Sequence, residues 1–318
     1  MTQKERAVLA LTLKQPDMVP TFELEFQLEQ EMFGTNTLYA ETIQWEEFKK
    51  LTPKEVEYLI DQYAEAAVNI YCNQLEYFSI PIRWQFLFCE ENQIKAIKAI
   101  RKLVGNNYMI HAHGDGTLGL PDGNSMYEFS YQIADEPEKI HQEARQKADE
   151  AIERNHKYID AGSDLLILCA DYCYNSGPYL SPQMFGEFIA PYLTDILANA
   201  RRDGAYTIKH TDGNIMPILD QLVAAQPNAI HSLDPMAGVD IAEVKRLVGD
   251  KVCLCGNVNC STIQIGTSEE IIKSAEYAMN NGKPNGGYIY CTSNVPFKGI
   301  TAQSYQLVLD VWKRMRSY

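Results

Sequence analysis

The chain carries no run of basic residues, no apolar stretch near 18 residues and no Cys-x-x-Cys pair. Each absence removes a class of function. With 28 Lys and Arg against 42 Asp and Glu, the formal net charge is -14. That is the wrong sign for gripping a nucleic-acid backbone or an anionic membrane surface. A membrane-spanning helix needs about 20 consecutive apolar residues, and none is present. The opening residues, Met1-Thr2-Gln3-Lys4-Glu5-Arg6, put charges where a secretion signal needs its apolar core. The setting these features predict is cytoplasmic. The eight cysteines (72, 89, 169, 173, 253, 255, 260 and 291) are then expected to be reduced. Without Cys-x-x-Cys spacing, a zinc ribbon or thioredoxin-type motif is excluded, and metal ligands have to be gathered from distant segments. No linker rich in Pro, Gly or Ser divides the chain and no repeat is visible, so residues 1–318 read as one domain. No Gly-x-Gly-x-x-Gly follows the first β-prone run, which argues against a dinucleotide-binding sheet.

What is present is an alternation. Eight β-prone runs occur at 19–25, 67–71, 108–111, 165–169, 206–210, 229–233, 252–255 and 288–291. Amphipathic stretches lie between them: 53–66, 136–161, 181–203, 215–225, 241–248 and 268–281. Several open on a capping residue or an early Pro, as at Thr52-Pro53 and Ser181-Pro182. Strand–helix alternation implies a parallel sheet, and eight units imply a closed (β/α)₈ barrel, the TIM barrel of the α/β class. Residues 72–106 fit the alternation poorly and read as an insertion or lid.

In such barrels chemistry sits where strands end. Here the ends carry Glu23 and Glu25; His111, His113 and Asp115; Cys169 and Asp171; His210 and Asp212; His231 and Asp234; Cys255 and Asn257; and Cys291 and Asn294. His210 and Asp212, two apart, project to one side if the strand continues. Cys255 and Cys291 end neighbouring strands. His210, Asp212, Cys255 and Cys291 thus form the expected metal set, a mixture of N, O and S donors that suits zinc. Asp234 is a further ligand, an orienting group or simply a turn residue before Pro235. The Gly-flanked His111-Ala112-His113 reads as a substrate-side element, and with Asn257 supplies the expected cofactor-binding residues. An inward Glu23 or Glu25 has to be paired, metal-bound or used as an acid or base. Asp234, Glu25 and Asp171 are the expected catalytic carboxylates.

The sequence also resembles a known family. Residues 4–20, Ala170-Asp171-Tyr172, Leu180–Phe185, Ile189–Tyr192, Gly256-Asn257 and Ile265–Ile271 are similar to motifs of the uroporphyrinogen decarboxylase superfamily. The resemblance implies the same barrel. The decarboxylase branch grips a polyanionic porphyrinogen with arginines after the first strand, whereas this chain has Glu23, Glu25, Glu29 and Glu31 there and no arginine between Arg6 and Arg83. The other branch, the corrinoid-dependent methyltransferases, holds zinc with a His-x-Cys and a later Cys. His210 and Cys291 resemble the outer members of that set, and Asp212 replaces the middle cysteine. A harder oxygen donor suits activation of an ether oxygen over a thiol. The resemblance therefore implies an O-demethylase component: zinc-dependent transfer of a methyl group from a methoxylated aromatic compound to the cob(I)alamin of a partner corrinoid protein. Tyr71, Tyr172, Tyr174 and Phe26 are candidates to stack on the ring. Methyl transfer from methylcobalamin to a thiol or folate-type acceptor, and an inactive metal-binding barrel, are the alternatives. The resemblance also implies a homodimer.

Overall fold

The computed structural model describes residues 1–34, 45–83 and 89–318. Seven parallel strands run in sequence order: β1 (Ser79–Pro81), β2 (Met109–His113), β3 (Leu165–Leu168), β6 (Tyr206–His210), β7 (Ala229–His231), β8 (Cys253–Cys255) and β9 (Tyr288–Ile289). A short antiparallel hairpin, β4 (Cys173–Tyr174) with β5 (Gly177–Pro178), stands in the loop after β3. β3 is Leu-Leu-Ile-Leu and wholly buried, as a strand covered on both faces must be.

Both edges of the sheet meet the same stretch of chain. Thr21 bridges Tyr290 in parallel, and its carbonyl accepts the Phe78 N–H at 3.0 Å. The Tyr290 N–H donates to Pro20 at 3.0 Å. The run 19–25, expected as a full strand, therefore contributes one isolated bridge, at Thr21.

The second expected strand, 67–71, is not a strand. It ends the helix Pro53–Ala67 and enters a π-helical turn, Val68–Gln74. Burial at Ile60, Tyr63, Ala64, Ala67, Ile70 and Tyr71 follows a helical period, and that phase carries the β-branched residues along. The strand comes later, at β1. Residues 72–106, expected as an insertion or lid, instead hold β1 and the helix Glu90–Val104, a unit of the main alternation; 84–88 lie outside the described residues. The expected helix 181–203 is interrupted at Ile189, and the second helix starts at Ala190 with Pro191 in its first turn.

The helical layer follows from capping and small residues. Thr52/Glu55 and Thr267/Glu270 form reciprocal capping boxes. The helix Pro137–Ala161 buries Ile140, Ala144, Ala148 and Ala151 on one face, which lets it lie close against its neighbours. No helix among the described residues is long and apolar enough to cross a membrane.

Glu23 shows how the edge-joining segment is held. It is buried, and it accepts hydrogen bonds from Thr292 Oγ1 at 2.5 Å, the Thr292 N–H at 3.2 Å and the Tyr305 hydroxyl at 2.9 Å. Burial outweighs these bonds and pushes its carboxyl up to about 8. The folded chain therefore keeps a proton that the unfolded chain releases near pH 4.3. Stability from this group is full below that value and falls as pH rises toward 8. Thermal unfolding from pH 5.5 to 8.5 is expected to show a loss of about 2–4 kcal/mol in the wild type. In Glu23→Gln this loss should shrink, leaving the part that Asp212, itself raised to about 7, contributes over the same range. An unchanged slope in the variant would mean that another group titrates.

Candidate active site

The mouth of the sheet gathers three side chains from two strand ends. His210 closes β6, Asp212 follows two residues later, and Asp171 lies in the loop after β3, the strand paired with β6. One donor atom from each lies within 4.8 Å of the other two. His210 Nε2 stands 3.7 Å from an oxygen of Asp171 and 3.7 Å from an oxygen of Asp212. A tetrahedral zinc with bonds of about 2.0–2.2 Å needs donors about 3.3–3.6 Å apart, so the spacing is near what a metal requires.

The surroundings orient each donor. Asp171 accepts the Asp212 N–H at 2.8 Å. Asp212 accepts the Ser232 hydroxyl at 2.8 Å on one oxygen and the Asn294 amide at 2.5 Å on the other. His210 Nδ1 meets His231 Nδ1 at 2.8 Å, leaving Nε2 toward the carboxylates. Burial, reinforced by the Lys209 charge, pushes His210 down to about 3. The ring is thus neutral, as a metal ligand must be. Burial and the neighbouring charge of Asp171 push Asp212 up to about 7. Two crowded carboxylates facing a neutral imidazole form a site whose repulsion a cation relieves. His231, buried beside them, meets His210 on Nδ1 and bonds the Thr292 backbone, which makes this cluster polar beyond what packing needs. The residues present fit a divalent metal.

Cys255 and Cys291 do not belong to this group. The register aligns His210, His231 and Cys255 across β6, β7 and β8, so His231 stands between Cys255 and His210. Cys291 lies one strand further, just past β9. Both are fully buried, and burial holds both thiols well above the usual range. The grouped side chains are thus one imidazole and two carboxylates, without the thiols that the strand ends suggest.

The other expected residues are dispersed. Asp234 caps the turn Pro235–Ala237 through the Met236 N–H at 2.9 Å and accepts the Gly213 N–H at 3.3 Å, which braces the Asp212 loop. Asn257 donates to the Leu233 carbonyl at 2.8 Å and borders an open groove of about 720 Å³ with Pro235, Asp240 and Tyr277. His111 is buried against the Ser79 hydroxyl at 2.7 Å and edge-on to Phe22; burial pushes it down to about 3. His113 lines a different pocket, of about 480 Å³, with Arg154, Gln93 and Tyr158. Glu25 is half-buried, and its charge reaches His113 and Cys169, which places it on the same rim. Of the four aromatic candidates, Tyr71 and Phe26 are core residues and Tyr172 is buried over Lys209. Tyr174 keeps an exposed ring. The sequence marked His231 and Asn294 as strand-end residues without giving them a role. Only the fold brings them onto His210 and Asp212.

Residues 122–294, more than half of the chain, match the family model for uroporphyrinogen decarboxylase (URO-D), and the chain belongs to that family. It is 25% identical over 191 residues to methylcobamide:CoM methyltransferase MtaA of Methanosarcina barkeri, covering 59% of this chain and 54% of the relative. It is 28% identical over 165 residues to uroporphyrinogen decarboxylase of Pseudoalteromonas translucida (strain TAC 125), covering 49% and 42%. The chain thus spans about half the length of the curated relatives it matches. A solved methyltransferase from Methanosarcina mazei shares its fold, with a TM-score of 0.75, 16% identity and 99% of each chain covered.

Proposed function

We propose that the protein is a metal-dependent methyltransferase that takes the methyl group of a methoxylated aromatic compound and passes it to the cob(I)alamin of a partner corrinoid protein. The observation that carries this reading is the Asp171–His210–Asp212 donor group. His210 and the two carboxylates would hold zinc. Bound there, zinc would supply Lewis acidity toward an ether oxygen, while the corrinoid would supply the nucleophile. The oxygen-rich set favours this over a thiol acceptor. Likeness to a methylcobamide methyltransferase supports the corrinoid partner.

The chain's own residues supply position and proton control. His210 presents a neutral nitrogen, Ser232 and Asn294 fix the Asp212 carboxylate, and Asp234 braces the loop between them. Glu25 on the rim would protonate the departing phenolic oxygen, and Tyr174 would stack on the ring. We take the Thr21 segment as the eighth stave of a closed (β/α)₈ barrel spanning residues 1–318 and pairing into a homodimer. All eight cysteines are free, which suits a reducing cytoplasm.

The test is metal analysis of protein purified without chelator, then methoxylated phenols with reduced corrinoid protein. Consumption of cob(I)alamin and release of the phenol are expected, with no turnover of uroporphyrinogen. Decarboxylation of uroporphyrinogen, or methyl transfer only from methylcobalamin to a thiol, would overturn the assignment. Cys291→Ala separates the donor sets. It is expected to keep full zinc and to lose about 1–2 kcal/mol of stability, the cost of a small cavity. Loss of zinc in this variant would restore the thiolate to the site.

A further inference from the structure

The pocket of about 480 Å³ lies where the end of β2 meets the helices Glu90–Val104 and Pro137–Ala161. Arg154, Gln93 and Tyr158 line it, beside an apolar wall of Ile82 and Ala112. Two of these side chains hold donors that no acceptor meets. Arg154 donates from Nη2 to the Asp115 carbonyl at 2.8 Å, and among the described residues its guanidinium forms no ion pair. Gln93 is only 5% exposed; its Oε1 accepts the Tyr158 hydroxyl, and its Nε2 has no hydrogen bond among the described residues. Both groups are built to donate into the pocket. Glu90, an acid on the lining, pairs with Lys157 at 3.0 Å and leaves Arg154 unmatched. His113 also lines the pocket and interacts with Glu25 and His210, which sets the pocket beside the mouth. β3 alone separates β2 from β6, so the ends of those strands stand two strand spacings apart, about 10 Å. That is the reach of an aromatic ring with a substituent on either side.

We infer that this pocket receives a carboxylate carried on the ring of the methoxylated substrate, which makes that substrate a methoxybenzoate. The inference rests on the methyl-transfer reading above. A planar guanidinium and an amide N–H match the two oxygens of a carboxylate. Ile82 and Ala112 offer the edge of the ring an apolar surface. The carboxylate sits at Arg154 and Gln93, and the ether oxygen then points to the Asp171–His210–Asp212 group. The charge of the chain makes a placed cation necessary. With a net charge of -14 and Glu25, Asp171 and Asp212 around the mouth, an anionic substrate without Arg154 meets repulsion alone.

Benzoate, which has the carboxylate but no methyl group to give, is the binding probe, read by calorimetry without turnover. The wild type is expected to bind it with or without added zinc. Arg154→Gln should weaken that binding by about 10–100-fold and Gln93→Leu by about 3–10-fold. In methyl transfer, both variants should raise KM for a methoxybenzoate by similar factors with kcat little changed, while KM for methoxybenzene stays within about twofold of wild type. Gln93→Leu leaves the Arg154 hold on Asp115 in place, so it carries the test if Arg154→Gln does not fold. A wild type that binds no benzoate, or binds inorganic phosphate as tightly, overturns the inference. So do equal KM losses for methoxybenzoate and methoxybenzene, which would leave Arg154 as a brace for the loop at Asp115. Benzoate binding that depends on Arg154, in a protein that transfers no methyl group, would support the pocket and count against the methyl-transfer reading. Methyl transfer indifferent to a ring carboxylate, in wild type and variants alike, would uphold that reading and remove the pocket from it.

Discussion

Replacing His210 with Ala is expected to remove the bound metal and lower methyl transfer by about 10³-fold or more, the equivalent of about 4 kcal/mol of lost transition-state stabilisation. His210 is the sole nitrogen donor of the group, and its Nε2 is the atom both carboxylates face. Without it, Asp171 and Asp212 remain as two like charges with Asp212 already raised toward neutrality, so the residual site should bind protons in preference to metal. The fold should survive, because His210 ends β6 and its ring contacts are polar. Two comparisons give the result its meaning. Asp212→Asn keeps the hydrogen-bond shape around Ser232 and Asn294 but removes charge, and should weaken metal binding less than His210→Ala does. His113→Ala leaves all three donors in place and should leave zinc per chain unchanged. If His210→Ala retains full zinc, measured after dialysis against fresh buffer, the donor group does not hold the metal.

How much of this site was legible beforehand depends on which interaction sets each residue. His210 and Asp212 could be paired from their i, i+2 spacing after a β-prone run, because alternation is a local property. Helices were legible for the same reason. The helix Ile241–Val248 was expected at these bounds, and the capping boxes at Thr52 and Thr267 are sequence signatures. Asp171 was visible as a carboxylate but not as a donor beside His210, since that depends on how far the loop after β3 leans toward β6. Cys255 and Cys291 sit at strand ends as expected. Spacing could not show that His231 lies between Cys255 and His210. β1 escaped notice because it is three residues long and contains Pro81, while Ala67–Tyr71 looked more strand-like and was captured by the helix before it. The motifs that carry the family resemblance lie largely within the region the family model matches, 122–294.

Lys209→Met is expected to be among the most destabilising single changes in the chain, about 3–5 kcal/mol, because it strands a buried carboxylate. Alternation along β6 turns His210 into the mouth and Lys209 away from it, into the covered side of the sheet. There Lys209 is fully buried, with Nζ 2.9 Å from Asp115, 2.8 Å from the Ala170 carbonyl and 4.2 Å from the centre of the Tyr172 ring. Asp115 in turn accepts the Ala170 N–H at 2.8 Å, with the Thr117 N–H and hydroxyl on its other oxygen. Ala170 is thus held at both its carbonyl and its amide by one ion pair, and Asp171 is the next residue. Burial pushes the Asp115 carboxyl up, but Lys209 and the three donors outweigh it and hold it at about 2. In the wild type this group therefore stabilises the fold above pH 4, and the contribution fades as pH falls toward 2. Lys209→Met reverses the sign. Without the ammonium, burial dominates, the folded form prefers the neutral acid, and the variant should gain stability as pH is lowered from 7 to 5. At pH 7 its melting temperature should fall by about 5–10 °C. Lys209→Met combined with Asp115→Leu removes the stranded charge and should recover much of that loss, as buried pairs exchanged for apolar residues often do. It should not recover metal affinity, because Ala170 would still have lost both holds and Asp171 its fixed place. A double variant that regains both stability and zinc would show that the ion pair serves the core alone.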